Sequence, residues 1–350
     1  MISMSNFTPV TGMLGGSIIG LGSTVLLLMN GDIMGASGIV TPIFIQAKDT
    51  WDTQRWKYVF VASFIGAANG YLVLVDPHAL RDEALTWSPS IIGYSIAGLL
   101  VGFGTRLGNG CTSGHGICGL ARLSRRSFAA VGTFMATAMA TASLLPQGFL
   151  KSMTSSNVPS GSFQRDGIAM AAVALAVVIS RSYLAKTGKQ SRKMIGASVS
   201  GALFATGLAV SGMVLPSKVM GFLDVSALAS SSGTYDPTLA FVMLGGLLVS
   251  YAGYQYKSHV RNEKPILAEE YNVPCNTVID GRLLLGASCF GLGWGLVGLC
   301  PGPALFQATT GNMSVLYYWM PSFLVGSYLG GKAQNLFSGN SCQLPPPASK

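Results

Sequence analysis

The chain contains few charged residues. Asp, Glu, Lys and Arg together make up 10% of its 350 residues, against roughly 25% in an ordinary soluble domain. A membrane helix needs about 20 apolar residues, and most of the runs that lack all four charged residues are long enough. These runs are 11–31, 58–75, 84–105, 127–150, 194–217 and 283–331. The scarcity of charge excludes a soluble globular protein and predicts an all-α, polytopic integral membrane protein.

The formal net charge of +9 does not indicate a nucleic-acid partner. The basic residues cluster in short connections between the apolar runs, as they do where loop charge fixes the orientation of a membrane protein. The expected surroundings are therefore a lipid bilayer and no nucleic acid, with a plasma or inner membrane favoured.

Cysteine is also scarce, and its spacing argues against two kinds of site. The six cysteines contain no Cys-x-x-Cys motif, which weakens a redox dithiol, and they do not form a secreted disulfide framework. Cys111, Cys289 and Cys300 lie in Gly-rich apolar stretches, whereas Cys275 and Cys342 lie in polar connections.

Four Gly-rich stretches recur along the chain. Met29 and Cys111 are 82 residues apart, as are the glycines before them, and Cys111 and Cys300 are 189 residues apart in the same way. We therefore predict an internally duplicated chain whose two halves each carry one thiol at an equivalent position. The stretches lie near 12–47, 90–123, 194–222 and 282–311.

Each Gly-rich stretch is longer than one membrane span and is interrupted midway by Gly or Pro. Broken backbone at membrane depth is tolerated only where protein or a cavity satisfies the freed polar groups. The stretches are therefore predicted to be discontinuous, re-entrant half-helices that meet at a central site, as in many secondary transporters.

The connections alternate in charge, which predicts the topology. With one net crossing for each Gly-rich stretch, every basic connection lies inside and the chain makes about nine spans. The two halves, 1–180 and 194–350, then form an inverted repeat joined by a basic linker at 181–193. The basic connections are 48–57, 122–126, 181–193 and 257–264; the acidic or Ser-rich ones are 76–87, 146–166 and 224–236. Regular spans are predicted at 58–75, 128–145, 168–183, 239–254 and 314–329.

The stretch around Cys111 holds seven glycines within the 18 residues 102–119. A stable ordinary helix is not expected there, because each glycine costs about 1 kcal/mol relative to alanine. We predict a backbone-lined site at Gly110, Cys111 and Thr112. Close helix packing through small residues is the alternative interpretation.

The counterpart of this stretch is Cys300, which is followed by Pro301 and Gly302. Proline suits the first turn of a helix, so Cys300 is predicted to precede a half-helix whose free N–H groups face the same centre. Such helix N-termini favour anions.

Two other interpretations of the thiols are open. Cys111, His115 and Cys118 share the spacing of one helix face, but glycines intervene and no fourth ligand is evident, so no metal is predicted. A redox pair of Cys111 with Cys300 or with Cys118 is the second.

Arg106 is the only charged residue between Glu83 and Arg122. Charges within a membrane are costly and usually functional, and the alternative is that the side chain snorkels to an interface. We expect Arg106 to attract an anion or to hold the broken backbone.

At its two cysteine segments the sequence resembles the YeeE/YedE family of membrane proteins, which have a sulphur-transport domain and whose characterised members take up thiosulfate. The resemblance rests on Gly-Asn-Gly-Cys-Thr-Ser-Gly-His-Gly at 108–116 and Gly-Leu-Cys-Pro-Gly-Pro-Ala at 298–304, supported by 31–39 and 211–224. It implies an inverted-repeat bundle pinched at the middle, where short broken helices bring cysteines to a narrow passage. A soluble sulfur carrier is a conceivable partner.

One departure from the family pattern concerns the first repeat. Thiosulfate-transporting members have a cysteine there, whereas the repeat spacing places Met29 at that position. A thioether accepts but cannot donate a hydrogen bond. The resemblance therefore leaves thiosulfate, another sulfur oxyanion and a related sulfur species open as substrates.

Together these observations predict a transporter, not an enzyme, that passes a small sulfur-containing anion between cysteine thiols at a central constriction and needs no cofactor. The alternatives are a membrane thiol-redox protein and a scaffold that transports nothing. The predicted substrate-binding residues are Cys111, Cys300, Gly110, Thr112, His115, Arg106, Pro301, Gly302 and Met29.

Overall fold

The computed structural model describes residues 7–75, 89–145, 189–229, 235–257, 264–274 and 276–336. These residues form thirteen α-helices: α1 (Pro9–Val25), α2 (Ala36–Ile45), α3 (Ala47–Thr53), α4 (Trp56–Leu74), α5 (Ile91–Leu107), α6 (Arg125–Leu144), α7 (Lys189–Val210), α8 (Pro216–Leu223), α9 (Ser226–Ala229), α10 (Thr238–Gln255), α11 (Gly281–Val297), α12 (Pro301–Thr309) and α13 (Met320–Leu336). Three stretches are π-helical: Leu26–Asn30, Thr112–Gly119 (the π segment below) and Val315–Trp319.

The helices confirm a polytopic membrane protein. Within the described residues, 5 helices are long and apolar enough to cross a membrane, or up to 7 if each bent pair counts as one span. The prediction of about nine spans included 168–183, which lies outside the described residues.

The predicted helix breaks are also present in the two cysteine stretches. Helix α5 meets the π segment at 45°, and α11 meets α12 at 42°. Cys111 and Cys300 lie at these two breaks.

The two halves of the chain interlock at their centre. Helix α1 packs against α7 and α10, and α5 packs in the same manner against α11 and α13. Gly15 approaches Ser211 while Gly22 approaches Ser200, so α1 and α7 are antiparallel, and the glycine contacts between α5 and α11 have the same sense. Antiparallel central pairs are what an inverted duplication requires, although the repeat and the division into halves stay predictions.

The glycines let these helices approach closely. A Cβ added to Gly102 in α5 would overlap the carbonyl group of Phe323 in α13, and one added to Gly16 in α1 would overlap that of Val242 in α10. Close approach through small residues is the usual way in which membrane helices pack.

Replacing Gly102 by alanine is expected to destabilise the fold by about 1–3 kcal/mol or more, because the backbone of α13 must move. Gly132→Ala in α6 is the matched control: nothing lies within 4 Å of its added Cβ, and alanine favours a helix by about 1 kcal/mol. Thermal unfolding of the purified proteins in detergent measures both. Equal unfolding temperatures for the two variants would contradict the packing described here.

Charged residues cluster at both ends of the bundle. At the end where α1 finishes, Lys193 forms an ion pair with Asp32 at 3.1 Å, and Arg126 forms one with Asp280 at 3.3 Å. At the other end, Lys218 lies 3.6 Å from Asp236, so it is paired with a carboxylate. The predicted connections 76–87 and 146–166 lie almost wholly outside the described residues, and which end faces the cytoplasm stays a prediction.

Candidate functional site

An apolar cavity of about 60 Å³ lies where the broken helices meet. All four short helical segments contribute to its wall: α2 through Ala36, the π segment through Thr112, α8 through Val219 and α12 through Gly302. Hydrophobic side chains such as Phe204, Leu208, Met213, Val242 and Trp294 complete it. The predicted convergence of broken helices thus produces a small cavity with few polar groups.

The two predicted thiols line this one cavity. Cys111 precedes the π segment and Cys300 precedes α12, both with extended backbones. Thr112 Oγ1 donates a hydrogen bond to Cys300 Sγ over 3.4 Å, and Cys111 Sγ lies 3.3 Å from Ser113 Oγ. Residues 188 positions apart in the chain are therefore neighbours.

The short helices begin at or beside the cavity without side-chain caps. Neither Cys111 nor Cys300 caps its helix with a side-chain hydrogen bond. Pro301 begins α12 as predicted, and Gly302 packs against Phe204. Because helix N-termini carry partial positive charge, these ends favour an anion in the otherwise apolar cavity.

The structure does not bring Met29 to the cavity. The residue lies in the π-helical end of α1, where its carbonyl oxygen accepts a hydrogen bond from Leu267 N at 2.8 Å. Helix α1 continues further than α5 before the chain turns at Gly31. The residue that precedes the short helix α2, as Cys111 precedes the π segment, is therefore Gly35.

His115 has a structural position. Its Nδ1 lies 3.0 Å from Ser127 Oγ and its Nε2 lies 3.3 Å from the Gly108 carbonyl oxygen. A Cβ on Gly110 would lie only 2.5 Å from the imidazole ring, so the ring packs directly on that glycine. We infer that His115 and Gly110 hold the turn that presents Cys111.

The sulfur of Cys118 points away from the cavity. It lies 3.1 Å from Ser23 Oγ and 3.4 Å from the Met34 carbonyl oxygen. Cys111, His115 and Cys118 therefore each contact different partners, and the search of the described residues found no group of three metal-ligating side chains.

A larger vestibule of about 400 Å³ lies beside the cavity, at the end where α1 finishes. Its wall includes Lys57, Arg106, Arg122 and Arg126, and one carboxylate, that of Asp32. Sequence reasoning predicted a role for Arg106 but not for the other three cations. They come from separate connections, and their basic sequence was the only signal that could have identified them.

A thin wall separates the vestibule from the cavity. Gly35 and Gly114 line the vestibule, while the adjacent Ala36 and Ser113 line the cavity. The two glycines face each other, since a Cβ on Gly35 would lie 3.8 Å from the Gly114 Cα atom. Ala36 N donates to Ser113 Oγ over 3.0 Å. We call this contact of Gly35, Ala36, Ser113 and Gly114 the constriction.

Residues 192–333 match a family of unknown function, DUF6691. A "Probable transporter" of Xylella fastidiosa strain Temecula1 is 41% identical over 122 residues, which are 78% of that protein and 35% of this chain. A second "Probable transporter" of the same strain is 42% identical over 132 residues, 91% of that protein and 38% of this chain. The chain belongs to the family of these probable transporters.

Membership of this transporter family agrees with the multi-pass helical fold. The DUF6691 match spans α7 through most of α13, which includes Cys300 and the break before α12. The printed names of the two relatives state no substrate, so thiosulfate and the YeeE/YedE resemblance stay predictions.

Proposed function

We propose that this protein carries a small sulfur-containing anion, thiosulfate or a related species, across a plasma or inner membrane. The observation that supports this most is that Cys111 and Cys300, from the two halves of the chain, line one small cavity among helix N-termini. Membership of a family of probable transporters supports the transport step.

The cavity suits the passage of an anion that has lost most of its water. A thiol is a weak, neutral hydrogen-bond donor, so Cys111 and Cys300 can contact the anion without holding it as a fixed cation would. Conduction requires binding that is favourable enough for entry and weak enough for exit. Thr112 Oγ1 donates to Cys300 Sγ, which leaves the Cys300 S–H available to the substrate.

The vestibule, the constriction and the cavity would then follow one another along the path. The vestibule lies at the end that holds Lys193 and Arg126, and connections rich in Lys and Arg mark the cytoplasmic side of a membrane protein. We propose that the vestibule faces the cytoplasm and the cavity lies deeper in the membrane.

A thiol-redox protein is the second candidate function, because Cys111 and Cys300 line the same cavity and both are free thiols. The two proposals differ in what the thiols must do. Transport requires that they stay reduced, whereas redox chemistry requires a disulfide to form and break during turnover.

Purified protein reconstituted in liposomes tests the proposal. Uptake of thiosulfate, sulfate and sulfite is measured under reducing conditions, with protein-free liposomes as the control. We expect at least one sulfur anion to be taken up faster than chloride while all thiols remain reduced. Uptake of none of them, or uptake that needs a cycle of thiol oxidation, would contradict transport as proposed.

A further inference from the structure

The wall of the vestibule carries unbalanced positive charge. Its carboxylate, Asp32, is already bound by Lys193 Nζ at 3.1 Å and Asn272 Nδ2 at 3.0 Å. Among the residues that the structure describes, no carboxylate forms an ion pair with Lys57 or Arg106. Two cations thus face the vestibule without a protein counter-ion.

The other two cations of the vestibule wall differ in their partners. Arg126 is balanced by Asp280: burial raises the pKa of that carboxyl, but the Leu283 N–H, Arg282 and Arg126 together lower it below its ordinary value, so it stays ionised. Arg122 donates to the Pro274 carbonyl oxygen at 2.6 Å. Its Nε is buried without a partner in the described part of the chain.

The positions of the free cations are fixed by packing. The Arg106 side chain lies against α13, where a Cβ on Gly331 would be 3.3 Å from Arg106 Nε. Lys57 Nζ donates to the Gly38 carbonyl oxygen at 2.9 Å. A preformed group of cations in a concave site raises the local concentration of anions.

We propose that the vestibule is a second binding site, in series with the thiol cavity, for a small divalent oxyanion, and that Arg106 and Lys57 are its main cationic contacts. A volume of about 400 Å³ has room for an anion that keeps part of its hydration shell. The choice of a sulfur oxyanion rests on the proposed transport function, whereas the site itself rests on the charges of its wall.

Titration of sodium sulfate and of sodium thiosulfate into the purified protein in detergent, at constant ionic strength, tests this site. We expect Arg106→Gln to weaken binding about tenfold or more, because hydrogen bonds to charged groups are worth roughly 1.5–3 kcal/mol. Arg106→Lys keeps the charge and should retain most of the affinity. Arg125→Gln removes an exposed arginine that does not line the vestibule, so it is the matched control and should bind normally.

A change of opposite sign protects the test from variants that fold poorly. Asp32→Asn removes the negative charge from the wall and releases Lys193 from its ion pair, so it should tighten sulfate binding severalfold. A damaged protein cannot produce that gain. Unchanged affinity in both Arg106→Gln and Asp32→Asn would overturn the proposal.

Binding and uptake fail independently in these experiments. If the proposed transport function is wrong, no sulfur anion crosses the membrane although the vestibule still binds sulfate. If the vestibule proposal is wrong, uptake persists while Arg106→Gln binds sulfate as well as the unaltered protein does.

Discussion

Thiosulfate uptake should fall about tenfold or more when either Cys111 or Cys300 is replaced by alanine. Each replacement removes a hydrogen-bond donor from the cavity, and a hydrogen bond to a charged group is worth roughly 1.5–3 kcal/mol, where 1.4 kcal/mol is about a factor of ten. Both side chains line the cavity directly. Initial rates of uptake into liposomes, at matched amounts of reconstituted protein, give the comparison.

Cys289→Ala is the matched control for this experiment. Cys289 is a free, partly exposed thiol on α11 that does not line the cavity, so its loss should leave uptake unchanged. Serine at either cavity position keeps a small donor and should retain part of the activity. Full uptake by the Cys111→Ala, Cys300→Ala double variant would show that the anion does not pass the thiols.

The second large effect is expected at the constriction. Gly114→Ala should lower uptake about tenfold or more without unfolding the protein. The added Cβ would lie 3.9 Å from the Gly35 Cα atom, an ordinary contact distance, so the fold accommodates it. An anion that passes between the two glycines would meet the new methyl group, and overpacking of this kind costs about 1–3 kcal/mol.

Gly38→Ala controls for the loss of a vestibule glycine. Gly38 also lines the vestibule, on the next turn of α2, and nothing lies within 4 Å of its added Cβ. Uptake by this variant should stay normal. The Gly35→Ala, Gly114→Ala pair should impair uptake more than the sum of the single effects, as expected for residues in contact. Normal uptake by the pair would place the path elsewhere.

The helix breaks could be predicted because their cause is local. Glycine disfavours a helix interior and proline begins one, so the chain around Cys111 and before Pro301 identifies both breaks. The structure places both at the predicted positions, with bends of 45° and 42°. Equal spacing from these breaks also indicated that Cys111 and Cys300 share a site.

The first repeat was less predictable because its break is longer. The spacing of glycines paired Met29 with Cys111, but five π-helical residues, Leu26–Asn30, extend α1 beyond that point. A π-helical extension has no reliable sequence signal. The residue that takes the place of Cys111 before α2 is Gly35, and it has no side chain to donate a hydrogen bond.

The vestibule could not be predicted as a site because its wall comes from distant segments. Lys57 begins α4, Arg106 ends α5 and Asn272 follows α10 by many residues. Sequence reasoning places Lys57 in a basic connection, but only packing shows that it shares a cavity with Arg106. The same holds for Ser113, whose hydroxyl contacts both Cys111 and the N–H of Ala36.

The most direct test of the central claim is whether the anion occupies the space between the two thiols. The rate at which a small methanethiosulfonate modifies each cysteine of the reconstituted protein is measured by mass spectrometry, with and without saturating thiosulfate. Cys289 in the same molecule corrects for reagent that thiosulfate itself consumes. The account predicts that thiosulfate slows the modification of Cys111 and Cys300 relative to Cys289; equal slowing of all three would contradict it.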